Sequence, residues 1–256
     1  MARRVKAVSH EDRLTLVEHL DELRARLLVC IAALGVALAL CFWQNHLLLE
    51  IAQHPLPDDH DQLITFGVTE PFTTTLTVSA YGAIVLTLPV LLWQLYAYVL
   101  PAFSQSERRT IMPILLLFPF LFIAGLAFAY FVVMPAAVSF LLNFNEGQFN
   151  IQLRARDYYS FFSMTEVGCA LIFQLPLVIL AVTRLGIVSV EQLTQNRRYA
   201  YLAIAILAAA LPGVDPVTML IEMVPLLVLY ELSILLARVL GRPGTSGGVA
   251  QPSPQE

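Results

Sequence analysis

Two glutamates stand where the flanks of apolar runs ordinarily carry only positive charge. Glu22 lies in HLDELRAR (19–26), just before the first long apolar run, and Glu107 lies in PAFSQSERR (101–109), between the second and third runs. A carboxylate at the mouth of a helix bundle can accept a guanidinium through paired N–H to O bonds, each charged bond contributing on the order of 1.5–3 kcal/mol. Lysine would supply charge without the planar fork. A local reading competes with this: Glu22 and Arg26 are four residues apart, and Glu107 adjoins Arg108 and Arg109, so both acids can sit in solvated ion pairs of small energetic value.

Three further acids, Glu166, Glu222 and Glu231, fall inside apolar runs. An ionised carboxylate at mid-bilayer is unfavourable by about 2.5–3.5 kcal/mol on insertion scales. Glu166 is therefore expected to be protonated, paired or facing water, and Glu222 and Glu231 to pack toward bundle neighbours or lie at an interface. His46, His54 and His60 have spacings that match no standard ligand pattern, so no metal or cofactor is expected. Cys30 and Cys41 are about 16 Å apart along one helix and cannot bond to each other. With Cys169 they read as buried small hydrophobes. No histidine falls in the core of a run, and neither a GxSxG elbow nor an HExxH helix is present, so an enzyme is not expected.

The elements that must position these residues are membrane helices. With 58% hydrophobic and 13% charged residues, and a mean hydropathy of +0.72, the chain has too few polar groups to cover a soluble globule. Six spans are expected at 27–49, 77–100, 111–142, 158–183, 199–214 and 216–237, forming one integral membrane domain over 1–242. Thirteen of the fifteen Lys and Arg residues fall on one side of this arrangement, and only Arg154 and Arg156 on the other. The positive-inside rule then puts both tails in the cytoplasm of a multi-pass cell-membrane protein. Arg3 and Arg4 are read as part of an ordinary basic tail, and 243–256, rich in Pro, Gly and Ser, as disordered.

Irregularities in the runs carry further expectations. Ser9 and Asp12 resemble a capping box ahead of an amphipathic helix with Leu16, Leu20, Leu23 and Leu27 on one side. The third run contains Pro113, Pro119 and Pro135 and is about 48 Å long if helical, so it must tilt, kink or protrude. The fifth allows only about 24 Å of helix and predicts local membrane thinning, or a re-entrant pair with the sixth. The external segment 50–76 is acidic, with no Lys or Arg and three prolines, and reads as a structured cap or a loop.

Six motifs in register resemble the TatC family, the receptor subunit of the twin-arginine protein translocase: HLDELRARL, TEPF (69–72), PAFSQSERR, AFAYFVVMP (127–135), FQLP (173–176) and LGI (185–187). They extend from about residue 19 to 238. The resemblance implies an all-α membrane protein, a cupped six-helix polytopic bundle with short fifth and sixth transmembrane helices. It implies binding of twin-arginine signal peptides of folded cargo through Glu22 and Glu107, with Arg24 and His19 beside the first, and Glu70, Pro71 and Phe72 in the external loop. Its implied partners are the single-span subunits TatA and TatB in an oligomeric receptor complex within the lipid bilayer; no nucleic acid and no cofactor is implied.

Several positions depart from the family pattern. Gln174 stands where many members have an acid, while Glu166 appears eight residues earlier, about 80° away if the helix is continuous. A polar patch of Glu166 and Gln174 is expected to dock a partner helix. GVDP (213–216) replaces the usual Pro-Pro-Asp; Asp215 is retained, and Met219 takes a position often filled by Gln. The alternative function is a proton-coupled secondary transporter using Glu166, Glu222 and Glu231, against which the absence of internal repeats argues.

Overall fold

In the computed structural model the described residues are 10–57, 63–99, 105–144, 148, 151–184, 187–211 and 215–240, and they are helical almost throughout. The elements are α1 His10–Trp43, α2 Asn45–Gln53, α3 Glu70–Val99, α4 Gln105–Phe128, a π turn Ala129–Val133, α5 Met134–Asn143, α6 Ala155–Ile172, α7 Leu175–Arg184, α8 Val190–Gln195, α9 Arg197–Ala210 and α10 Pro216–Leu240. Extended pairing among the described residues is limited to one bridge, Ile64 to Arg154. Backbone groups in lipid must be satisfied internally, and helices do so within each segment. Ser9, the LG of the LGI step and the tail at 243–256 lie outside the described residues.

Five stretches among the described residues are long and apolar enough to cross a bilayer: Leu20–Trp43, Glu70–Tyr98, Leu117–Asn143, Ala155–Thr183 and Pro216–Arg238. These correspond to the first four expected spans and the sixth. α9 has 14 residues, about 21 Å of helix against a hydrocarbon core of about 30 Å. The fifth helix is thus short, as expected. The sixth is not: α10 runs for 25 residues, because Asp215 caps its start and no glycine interrupts the apolar run that follows.

Boundaries moved for local reasons. The first expected span breaks at Gln44, where the Asn45 side chain donates to the Phe42 carbonyl at 2.7 Å and α2 begins as a separate helix. α2 is held by two phenols, Tyr158 donating to the Ala52 carbonyl at 2.5 Å and Tyr130 to the Ile51 carbonyl at 3.1 Å. The second span starts seven residues early, at Glu70, so TEPF forms the first turn of α3 rather than a loop. The long third run stays helical from Gln105 to Asn143 by widening into the π turn just before Pro135. A proline ring clashes with the carbonyl four residues back, and a π turn makes room for it.

The fourth run is not one helix. It breaks at Phe173 and Gln174, ahead of Pro176, so the angle expected between Glu166 and Gln174 on a continuous helix does not apply. α6 crosses α4 at close range at Gly125, where an added Cβ would lie 2.9 Å from the Cys169 carbonyl oxygen. α3 and α6 start at the same end, where Glu70 meets Arg154, and α1 passes the last turn of α3 at Arg26.

Candidate functional site

Glu22 and Arg26 form the local ion pair that competes with guest binding. Arg26 Nε donates to Glu22 Oε1 at 3.0 Å, and Nη2 bonds the same oxygen. Sequence spacing did not reveal the rest of the node: Arg26 also donates to Gln94 Oε1 at 3.2 Å and to the Ala97 carbonyl at 3.1 Å. These bonds fasten the start of the first span to the last turns of α3. Glu22 remains half-buried with 35% of its side chain exposed, and Arg24 is exposed. Glu107 lies in the first turn of α4, across the short connection from α3. The side chains of His19 and Glu107 are outside the described residues.

Deeper in the bundle, α1, α2, α3, α4 and α6 enclose an apolar cavity of about 580 Å³, whose few polar groups include Gln44, Tyr81, Ser163 and Glu166. Glu166 is buried, and its Oε1 has no hydrogen-bond partner among the described residues. Gln174 is also buried, but sits in the turn between α6 and α7, outside the wall of this cavity. Its Nε2 donates to the Ala170 carbonyl at 3.2 Å, while Oε1 is unpartnered. The two polar residues therefore occupy separate positions instead of one stripe.

The remaining acids divide by partner. Asp215 is a helix cap: Oδ1 accepts from the Thr218 N–H at 2.7 Å and Oδ2 from the Thr218 hydroxyl at 2.6 Å. Met219, one turn on, packs against the cluster of Ile204, Leu226 and Ile234. Glu231 accepts from Arg197 at 2.8 Å and from the Tyr201 hydroxyl at 2.6 Å, tying α10 to α9. That pairing removes it from a chain of free intramembrane carboxylates. Glu222 is only 2% exposed, and neither of its oxygens has a partner among the described residues. Cys169 is within electrostatic reach of both Glu222 and Glu166.

Glu70, Pro71 and Phe72 are placed at the opposite end from Glu22. Glu70 is buried and accepts from Arg154 Nε at 2.7 Å, Arg154 Nη2 at 3.2 Å, Phe66 N at 3.0 Å and Gly67 N at 3.3 Å. Hydrogen bonding to Glu70 holds the Arg154 guanidinium above its ordinary range. Pro71 and Phe72 are exposed. Arg154 was missed as a partner in the sequence reading, although it is one of only two basic residues on its side. No group of His, Cys, Asp and Glu among the described residues could hold a metal ion.

A bundle of long apolar helices with an ion-paired node at one end and an apolar cavity deeper in is a multi-pass membrane protein. The family model for the Sec-independent protein translocase protein TatC matches residues 18–225. The chain is similar to the Sec-independent protein translocase protein TatC of Carboxydothermus hydrogenoformans, with 35% identity over 239 residues, 93% of this chain and 98% of that one. It is 34% identical to the protein of that name from Desulforapulum autotrophicum, over 91% of this chain and 87% of that one. The chloroplastic TATC of Arabidopsis thaliana is 33% identical over 93% of this chain and 71% of its own length. A crystal structure titled as the twin-arginine translocase receptor TatC superimposes with a TM-score of 0.75 at 32% identity, covering 88% of this chain and all of that one. This chain belongs to the TatC family. It is a multi-pass membrane component of the Sec-independent protein translocase, a receptor subunit rather than a catalyst.

Proposed function

We propose that this chain binds twin-arginine signal peptides at the cytoplasmic face of the cell membrane, with Glu22 and Glu107 each accepting one arginine of the pair. The observation that carries the reading is the node at Arg26, which locks the Glu22 helix to the end of α3, from which a short connection leads to the turn bearing Glu107. A carboxylate already held by its helix, as Glu22 is by Arg26, loses little side-chain freedom on binding, which favours a planar, bidentate guest. Arg24 and His19 flank the first acid. Bound peptide displaces Arg26 from Glu22 or shares that carboxylate with it. Both termini are cytoplasmic in this reading, and 1–242 acts as one membrane domain.

The apolar part of the signal peptide lies along the bundle, and the single-span subunits TatA and TatB dock around Glu166, Gln174 and the tip at Asp215 and Met219. The short α9 supports local thinning of the bilayer beside that assembly. The test is site-specific photocrosslinking of a twin-arginine signal peptide to Glu22→Ala and Glu107→Ala variants in membranes. Each variant is expected to lose most of the contact, while a signal peptide with paired lysines crosslinks weakly to the unsubstituted chain. Undiminished contact in both variants rejects the assignment.

A further inference from the structure

At the end of the bundle opposite Glu22, a second cavity of about 450 Å³ opens between the first turns of α3 and α6. Its lining is polar: Glu70, Thr74, Arg154 and Arg156 contribute to it. Glu70 takes up one edge of Arg154 through Nε and Nη2, which cancels that pair and leaves Nη1 without a partner among the described residues. Arg156 is exposed and pairs with no acid among the described residues; the nearest chain acid, Asp157, is also exposed and is not part of the wall. Among the wall residues themselves two guanidinium groups face one carboxylate, while Asp157 acts on Arg154 from outside the wall. Thr74 also belongs to the wall and is only 6% exposed; its hydroxyl has no hydrogen-bond partner among the described residues and reaches a guest by rotation of the side chain toward the cavity.

Position decides what guest reaches it. Two apolar spans begin at this level, at Glu70 and Ala155. Around the opening Phe66, Val68 and Phe72 are 75%, 100% and 62% exposed. Apolar side chains left this exposed where spans begin face lipid at the edge of the hydrocarbon core. Arg154 is held there by Glu70 and by the Phe66 ring, whose centroid is 5.4 Å from its guanidinium carbon. An open cavity with a fixed arginine, a second arginine and a hydroxyl in its wall fits a tetrahedral oxyanion, because guanidinium forks and hydroxyls match phosphate oxygens.

We infer that this cavity binds the phosphate of an anionic phospholipid headgroup, through Arg156, the free edge of Arg154 and the Thr74 hydroxyl, and so anchors this end of α3 and α6 to one leaflet. The external leaflet supplies the lipid under the topology proposed above; the site itself does not depend on that reading. Headgroups whose phosphate is balanced by an amine bind less well, since the wall itself offers two guanidinium groups against one carboxylate.

The test uses the full chain in nanodiscs of phosphatidylcholine doped with phosphatidylglycerol, with retained lipids counted by native mass spectrometry after release. Phosphatidylglycerol is expected to be enriched on the protein. Arg156→Ala should weaken its retention on the order of tenfold, the loss of one charged hydrogen bond, and Thr74→Val by about threefold. Arg156→Lys should restore part of the loss. A second arm adds sodium phosphate to delipidated protein in detergent and follows thermal unfolding; no protection is expected without the acyl chains. Equal retention of both lipids, or equal retention in Arg156→Ala with unchanged melting, overturns the site. Protection by free phosphate equal to that by phosphatidylglycerol overturns the headgroup assignment. The readout is lipid retention, so failure here and failure of signal-peptide binding remain distinct results.

Discussion

Substitution of Gly125 by alanine tests the close crossing on which the bundle interior depends. A Cβ at this position would sit 2.9 Å from the Cys169 carbonyl oxygen, 2.9 Å from Phe173 Cβ and 3.1 Å from Ala170 Cα. Favourable carbon contacts lie at about 3.5–4.0 Å, so α4 and α6 must separate by several tenths of an ångström. Two of the three neighbours are backbone and cannot swing aside. Overpacking of this kind costs about 1–3 kcal/mol, partly offset by the helix propensity of alanine over glycine, up to about 1 kcal/mol. Gly35 provides the matched control, because it lies in α1 with no atom within 4 Å of its would-be Cβ. Gly35→Ala therefore keeps the propensity gain without the clash. In detergent, monitored by thermal unfolding, Gly125→Ala should melt below Gly35→Ala by about 1–3 kcal/mol, on the order of 3–10 °C for a chain of this size. Coincident melting of the two variants would refute the close register of α4 on α6, and with it the wall of the Glu166 cavity that those helices share.

Other positions give sharper local tests. Tyr158→Phe removes the donor to the Ala52 carbonyl and should destabilise the fold by about 1–3 kcal/mol, with faster amide exchange confined first to α2; unchanged exchange there would contradict the clamp. Glu222→Leu should raise the melting temperature, since both buried oxygens lack partners and each unsatisfied polar group costs about 1–3 kcal/mol; a large loss of stability would point to a partner for that acid in the folded chain. Gly168→Ala should be tolerated, with a change in melting well below that of Gly125→Ala, because the new Cβ meets only the end of the Leu211 side chain, which can rotate away; a loss equal to that of Gly125→Ala would show that Leu211 cannot give way. Arg26→Ala should loosen α1 from α3, seen as increased crosslinking distance between engineered cysteines at positions 23 and 97, where the backbone acceptor is kept, and unchanged spacing would count against the node.

The chain's own sequence determined that it is a helical membrane protein, where five of its spans run and which end carries the positive charge, because run length and Lys/Arg placement act locally and add along the chain. It also offered the Glu22 to Arg26 pair, a contact within about one turn of helix, as the local alternative to guest binding, and the structure contains that pair. The shortness of α9 was likewise visible, since charged residues bound the run on both sides. What the tertiary structure decided was every pairing that joins distant segments: Arg26 with Gln94, Glu70 with Arg154, and Glu231 with Arg197. It also decided which intramembrane acids face a cavity, are buried without partners, or cap a helix, as Glu166, Glu222 and Asp215 respectively do. Spacing along one helix gives the direction of a side chain only while the helix continues. The break at Gln174, the π turn before Pro135 and the early start at Glu70 each reset that direction. A partner 84 residues away, as for Arg154 and Glu70, follows from how whole helices pack.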